Sequence, residues 1–334
     1  MVRRALLLLA IVLSVALTAC SDDGGRLTIY SGRTENLVGP LLDRFAEETG
    51  IKIDVRYADS ADLALLIDEE GDRSPADVFL SQSPGAIGHL AGNDRLQALP
   101  QDILDRVESR FRDQDGLWVG LSGRVRVLAY NTAEVDEDEL PDSVFDLTDP
   151  EFEGRVAVPP SNGSFQDFVT AMRALEGDDR TLDWLKGMAA NDAPVYANNN
   201  AIVQAVGRGE VPMGLVNHYY GYRAKEENPD LAVENHIFPD GDVGALLLET
   251  AVGILDGADE RDEARQFVEF LLEEEAQTFF SEETFEYPLA GGVEPAADLL
   301  PLDEIVTAEV SLSDLEGGLR RTQELIRESG VDDE

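Results

Sequence analysis

Arg26-Leu27-Thr28-Ile29-Tyr30 opens the stretch that decides the fold. Its alternation of apolar and polar side chains is that of a strand, and Ser31-Gly32-Arg33-Thr34 turns out of it. Leu37, Leu41, Leu42 and Phe45 then recur at helical spacing until Gly50, a residue type that ends helices in the left-handed conformation. Ile51-Lys52-Ile53-Asp54-Val55-Arg56-Tyr57 alternates again, a helix runs through Leu63 to Ile67, and Ala76-Asp77-Val78-Phe79-Leu80 is a third strand. This β-α-β-α-β order predicts an α/β fold, a parallel sheet covered by helices whose ligands lie beyond the carboxyl ends of the strands. Those ends carry Ser31-Gly32-Arg33 and Ser81-Gln82-Ser83.

Further along, Leu117 to Asn131 is β-rich without a helix, long enough to cross from one domain to another. A second α/β unit follows: strand Arg155 to Val158, the turn Pro160-Ser161-Asn162-Gly163-Ser164, a helix from Phe165 to Leu175, and a helix carrying Ala201 to Val206. Strand Val211 to Val216 then runs into Asn217-His218-Tyr219-Tyr220. Ala245 to Leu248, continuing to Ala251 to Leu255, is a candidate return crossing. Two crossing strands between two α/β lobes predict a cleft that opens and closes. The expected division is residues 27–125 with 250–299 as the first lobe and 126–249 with 300–334 as the second. The end of the chain, Val331-Asp332-Asp333-Glu334, reads as disordered.

The N-terminus speaks of targeting. Arg3 and Arg4 precede an apolar run from Ala5 to Leu17, too short to span a bilayer, which makes residues 1–19 a secretory signal. Leu17-Thr18-Ala19-Cys20 resembles a bacterial lipobox, whose cysteine is lipidated and becomes the new N-terminus. Cys20 is the only cysteine in the chain, which fits an anchor and excludes an internal disulfide; the competing reading is an ordinary signal with an incidental cysteine. Residues 20–26 form a polar spacer, and the roughly 310 residues after the signal exceed one comfortable core. A formal charge of −42 argues against nucleic-acid binding and against contact with anionic membranes through a basic face. It favours a cationic ligand instead, and leaves a lipid anchor as the sole membrane contact expected.

Tyr219-Tyr220 is the chemical focus. Two adjacent phenols at the end of an apolar strand point to opposite faces if the strand continues, but converge where it breaks into a helix. Phenolates are hard anionic oxygens suited to a hard trivalent cation, and a phenol pKa of about 10 means the cation itself must drive ionisation. The alternative is one ring packed in the core and the other capping the surface. Arg33 and Arg124 each follow a Ser-Gly pair at the expected cleft edge, where a guanidinium fork suits a planar oxyanion. The turn Ser161-Asn162-Gly163-Ser164 offers hydroxyl and N–H groups to the same anion, or is only a helix cap. His89, His218 and His236 lack the spacing of a zinc site, and neither a Gly-x-Ser-x-Gly elbow nor a phosphate-binding Gly-rich loop is present, so no enzyme is expected.

Taken in order, Tyr30-Ser31-Gly32-Arg33, Ser74-Pro75-Ala76-Asp77-Val78-Phe79, Leu121-Ser122-Gly123-Arg124-Val125-Arg126-Val127, Asn217-His218-Tyr219-Tyr220 and Glu286-Tyr287-Pro288-Leu289 resemble the bacterial periplasmic ferric-binding proteins of ABC iron importers. The resemblance implies a two-lobed, type II periplasmic-binding-protein fold, a monomer that hands ferric iron to an ABC permease, and a lipid-anchored extracytoplasmic location. It makes Tyr219 and Tyr220 iron ligands and places a synergistic carbonate or phosphate at Arg124, Ser164, Asn199 and Asn217, with Arg33 matching an anion-contacting arginine of one branch. Thr34 and Gln82 stand where another branch has a histidine and a glutamate, and Phe165 stands near the position of a third tyrosine. Tyr30, Tyr196 and Tyr222 are therefore the candidates for a further donor, each with packing as the competing role. A sister solute-binding protein for a small anion or organic solute, without iron, is the alternative function.

Overall fold

In the computed structural model, residues 25–308, 310, 315 and 318–332 are described; Cys20 and the signal segment lie outside them. The strands are β1 (Leu27–Ser31), β2 (Ile53–Tyr57), β3 (Val78–Ser81), β4 (Val119–Tyr130), β5 (Val156–Ala157), β6 (Met213–Asn217), β7 (Glu234–His236), β8 (Leu247–Ile254) and β9 (Tyr287–Pro288). Their order is β2-β1-β3-β8-β4-β6-β5, with β7 and β9 pairing onto β4. β1 is parallel to both β2 and β3, as the β-α-β-α-β pattern predicts. The intervening helix Glu35–Thr49 buries Leu37, Val38, Leu41, Leu42 and Phe45 and stops at Gly50, whose φ of 72° is one glycine adopts freely.

β4 is where the molecule turns from one half into the other. Its first part pairs antiparallel with β8, through Arg124 opposite Leu248 and Val125 opposite Leu247. From Arg126, opposite Asn217, it pairs with β6 instead. All twelve residues of β4 are buried, so polar side chains on it are enclosed wherever they point. Arg124 and Arg126 stand on either side of the switch, two residues apart and hence on one face of the strand. β8 completes the crossing by pairing with β3, Ser81 opposite Ala251.

The expected return crossing between Ala245 and Leu255 is present as the strand Leu247–Ile254, with Glu249 and Thr250 buried within it and β4 on one side and β3 on the other satisfying its backbone. One expectation changes: Val331 is packed in the core at 3% exposure, after the C-terminal helix Leu319–Ser329 ends at Gly330 with φ 75°, while Asp333 and Glu334 lie outside the described residues. Among the described residues no helix is long and apolar enough to cross a membrane.

Candidate functional site

β6 is a run of buried residues ending at Asn217; His218 takes helical backbone angles, φ −53° and ψ −42°, and the helix Tyr219–Glu227 begins. The break brings the two tyrosines together, their rings stacked with centroids 4.2 Å apart. Tyr219 is fully buried and its hydroxyl has no partner among the described residues. Burial raises its pKa well above the ordinary phenol value, with the Tyr220 and Glu286 charges adding to the rise and Arg124 and Arg33 opposing it. Tyr220 is half-buried and lines a cavity of about 250 Å³ with Gly32, Thr34, Gln82, Arg124, Ser164 and Asn199. His218 is locked beneath the pair: its N–H donates to Val125 O at 2.9 Å, its Nδ1 accepts from Val125 N at 3.2 Å, and its ring stacks on Tyr287 at 4.9 Å. Burial pushes its pKa down to about 4, so the imidazole is neutral at pH 7.

Two buried polar clusters flank the tyrosines. In the first, Arg33 donates from Nη1 to Glu286 Oε2 and to Thr250 Oγ1, both at 2.8 Å, and from Nη2 to Glu286 Oε1 at 2.6 Å. Ser122 Oγ donates to Glu286 as well. Burial alone would raise the Glu286 carboxyl, but the charge and hydrogen bonds of Arg33 hold it below its ordinary value. Arg33 thus lies close behind the tyrosines with its guanidinium fork committed to a protein carboxylate. Phe285, just before Glu286, sits at φ 56°, a strained conformation for a bulky residue.

The second cluster is built on the other side of the switch. Asn162 caps the helix Gly163–Glu176, its Oδ1 accepting from Ser164 N at 3.1 Å, Ser164 Oγ at 2.6 Å and Asn199 Nδ2 at 3.2 Å. Arg126 reaches in from β4, and its Nη1 faces Asn217 Oδ1 at 3.1 Å, Asn199 Oδ1 at 3.4 Å and Ser164 Oγ at 3.5 Å. Sequence reasoning quoted Arg126 only as part of a motif, although its two-residue spacing from Arg124 was the available signal. Arg124, on the cavity wall, donates from Nη2 to the carbonyls of Gln82 and Glu249. Asp167 was also missed: 8% exposed, it lines the cavity and accepts from Ser83 Oγ at 2.9 Å. Burial pushes its carboxyl up to about 6, against the Ser83 hydrogen bond and the Arg124 and Arg126 charges.

The structure brings Tyr219, Tyr220, Arg124, Ser164, Asn199 and Asn217 together, and adds Arg126 and Asp167. The three tyrosines weighed as further donors stand apart from the cavity. Tyr30 OH donates to Glu70 at 3.1 Å, Tyr222 stacks on Phe285 at 5.9 Å, and Tyr196 packs against apolar residues. Phe165 faces the core, 5.9 Å from Phe168 and 6.4 Å from Trp184. Among the described residues, buried side-chain atoms without a hydrogen-bond partner are Arg33 Nε, Arg124 Nε, Arg126 Nε and Nη2, Asn217 Nδ2, His218 Nε2, Tyr219 OH and Asn235 Oδ1. Such atoms are rare in folded proteins. Here they belong to the Asn217-His218-Tyr219 break and the clusters that flank it, Asn235 joining by its donation to His218 O at 2.8 Å. Most are N–H or O–H donors, so what they lack is an acceptor.

Comparison with known proteins gives a consistent picture. The family model described as bacterial extracellular solute-binding protein matches residues 73–304. The chain is 33% identical over 331 residues to the Fe(3+)-binding periplasmic protein of Serratia marcescens, covering 98% of this chain and 96% of that one. It is 33% identical over 306 residues to the major ferric iron-binding protein of Neisseria meningitidis serogroup A, covering 90% and 92%. The crystal structure of iron-bound HitA from Pseudomonas aeruginosa superposes with a TM-score of 0.87 at 35% identity, covering 91% of this chain and 99% of that one.

Proposed function

The chain belongs to the bacterial extracellular solute-binding proteins, and from that premise we propose that it captures ferric iron between two lobes and delivers it to an ABC permease. Its fold is the two-lobed type II arrangement of the ferric-binding proteins. The observation that carries the proposal is the gathering of buried, unpaired donors around stacked Tyr219 and Tyr220. A desolvated phenol with no acceptor is costly in the empty protein and becomes a strong ligand once a trivalent cation displaces its proton. In this reading Tyr219 and Tyr220 supply two phenolates. A carbonate or phosphate held by Arg124, Ser164, Asn199 and Asn217 supplies further oxygens and neutralises charge. Arg33 tunes the site from behind through its pairing with Glu286, leaving the anion to the other cluster. The partner switch on β4 after Val125 supports lobes made of residues 27–125 with 250–299 and of 126–249 with 300–334. Cys20 carries the lipid that holds the protein to the outer side of the membrane, and the chain works as a monomer.

Ferric loading in bicarbonate tests the proposal. The wild type is expected to develop a visible phenolate-to-iron charge-transfer band, which Tyr219→Phe and Tyr220→Phe each weaken together with iron affinity. Both substitutions keep the ring and delete the donor oxygen. A wild-type protein that stays colourless but binds phosphate would replace this reading with a small-anion binding protein.

A further inference from the structure

Arg126 is fully buried, and its guanidinium has no carboxylate as a hydrogen-bond partner among the described residues. Both its Nε and Nη2 are without any partner there. A buried structural arginine in this same molecule looks different: Arg33 sends two nitrogens into Glu286 and one of them also into Thr250. What Arg126 touches is instead the oxygen end of three neutral groups, Ser164 Oγ, Asn199 Oδ1 and Asn217 Oδ1. An amide whose oxygen is held by a cation must turn its NH₂ the other way. For Asn199 that end meets Ser164 Oγ at 3.1 Å and Asn162 Oδ1 at 3.2 Å; for Asn217 it meets nothing among the described residues. Behind the guanidinium lies the face of Phe168, 5.4 Å from Arg126 Cζ to the ring centroid, which fixes it without neutralising it.

We propose that Arg126 is the positioning charge of a dianion subsite in the second lobe: it turns the NH₂ groups of Asn199 and Asn217 away from itself, leaving that of Asn217 open to an acceptor, and supplies, beside Arg124, the second positive charge that selects a doubly charged oxyanion over a singly charged one. Arg126 is not itself a wall of the cavity; Ser164 and Asn199, which are, stand between. It therefore acts through those neutral side chains, and a dianion feels its field twice as strongly as a monoanion at the same place. Asp167 is the acidic group that weakens this field, and it does so without a hydrogen bond to Arg126 among the described residues. Burial pushes the Arg126 guanidinium down to about 9, still charged at pH 7, with Tyr220 the first group to offset the fall. A positive charge enclosed with so little compensation is the mark of a site that an incoming anion completes.

The inference rests on the anion subsite of the proposed function but not on iron, so its test uses the iron-free mature chain. Inorganic phosphate and nitrate are titrated calorimetrically at neutral pH into the wild type, Arg126→Gln, Arg126→Lys and Arg126→Met. Losing a buried positive charge one side chain behind the cavity wall predicts a phosphate affinity about 10- to 100-fold lower in Arg126→Gln, with nitrate changed far less. Arg126→Lys is expected to recover part of the phosphate preference, since it keeps the charge and loses the fork. Arg126→Met fills the same space beside Phe168 and removes an uncompensated buried charge; it folds at least as well as wild type if the inference holds, and serves where Arg126→Gln does not fold. Folded Arg126→Gln or Arg126→Met that binds phosphate within threefold of wild type overturns the inference, as does an equal loss for phosphate and nitrate, the signature of a merely structural arginine. A wild type that takes up phosphate in this Arg126-dependent way yet stays colourless with ferric iron defeats the iron reading and leaves the subsite standing.

Discussion

Arg33 and Arg126 are both buried arginines within reach of the tyrosine pair, and the protein treats them in opposite ways. Arg33 is closed off by Glu286, Thr250 and Ser122, a cluster in which charge and nearly every donor are matched. Arg126 faces three neutral oxygens at 3.1 to 3.5 Å and keeps two nitrogens unpaired among the described residues. The matched cluster fastens the turn after β1 to β4, β8 and the segment before β9, and it stabilises the empty protein. The unmatched cluster weakens the empty protein and is repaired by whatever binds. Buried polarity therefore marks structure where it is satisfied and marks a site where it is not.

The largest effect should come from breaking the matched cluster. Glu286→Gln leaves Arg33 buried without its counter-charge, and losing one partner of a buried pair costs about 3–5 kcal/mol. Urea unfolding of the iron-free chain should show that loss directly. If Glu286→Gln destabilises no more than an exposed substitution does, Arg33 is not neutralised by Glu286 and the contrast with Arg126 disappears.

Asp167 sharpens the comparison, being an acid placed on the unmatched side. Its pKa stands at about 6 in the folded chain against an ordinary 3.8, because burial penalises the carboxylate. Between those values the folded state holds the proton that the unfolded state has released. Stability is thus greatest on the acid side for this group, and is lost as pH rises from about 4 to about 6, by roughly 3 kcal/mol. Asp167→Asn should remove that contribution while still accepting from Ser83 Oγ, leaving the comparable decline that buried Glu249, pushed up to about 7, contributes as pH rises from its ordinary 4.5. Denaturation curves at pH 4, 5, 6 and 7 measure it. Parallel pH profiles for wild type and Asp167→Asn would show that the carboxylate is already compensated by Arg124 and Arg126.

What the sequence revealed and what it hid divide along sequence distance. The β-α-β-α-β start, the crossing strand and the strand-to-helix break at Tyr219 rest on local periodicity, and each is present. The pairing of Arg33 with Glu286 spans 253 positions and leaves no local trace, so Arg33 looked available to a ligand. Asp167 carried a weak local signal: three residues after Ser164 on one helix, it shares that residue's face. Arg126 carried a better one in its spacing from Arg124 along β4. Val331 was read from its acidic neighbours alone, although a buried valine after a helix-ending glycine is a common closing contact. The three tyrosines weighed as additional donors were indistinguishable by composition, and only the packing shows that none of them lines the cavity.

The smallest effect is also the one that reverses sign between the two kinds of polarity. Tyr30 OH has a partner in Glu70, whereas Tyr219 OH is buried with none among the described residues. Removing a paired hydroxyl loses a hydrogen bond, so Tyr30→Phe should destabilise the iron-free chain by about 1 kcal/mol. Removing an unpaired one relieves a desolvation penalty of about 1–3 kcal/mol, so Tyr219→Phe should stabilise it, the stacked ring on Tyr220 being kept. Melting temperatures of the two variants in the absence of iron should therefore fall on opposite sides of wild type. Ferric iron then inverts the order, because a ligand that binds only the folded state stabilises it by mass action and Tyr219→Phe has lost a donor to that ligand. Wild type should overtake Tyr219→Phe as iron is added, while Tyr30→Phe follows wild type at a constant offset. If Tyr219→Phe instead melts below wild type without iron, its hydroxyl already contributes to the empty fold, and the tyrosine belongs with the matched cluster around Arg33.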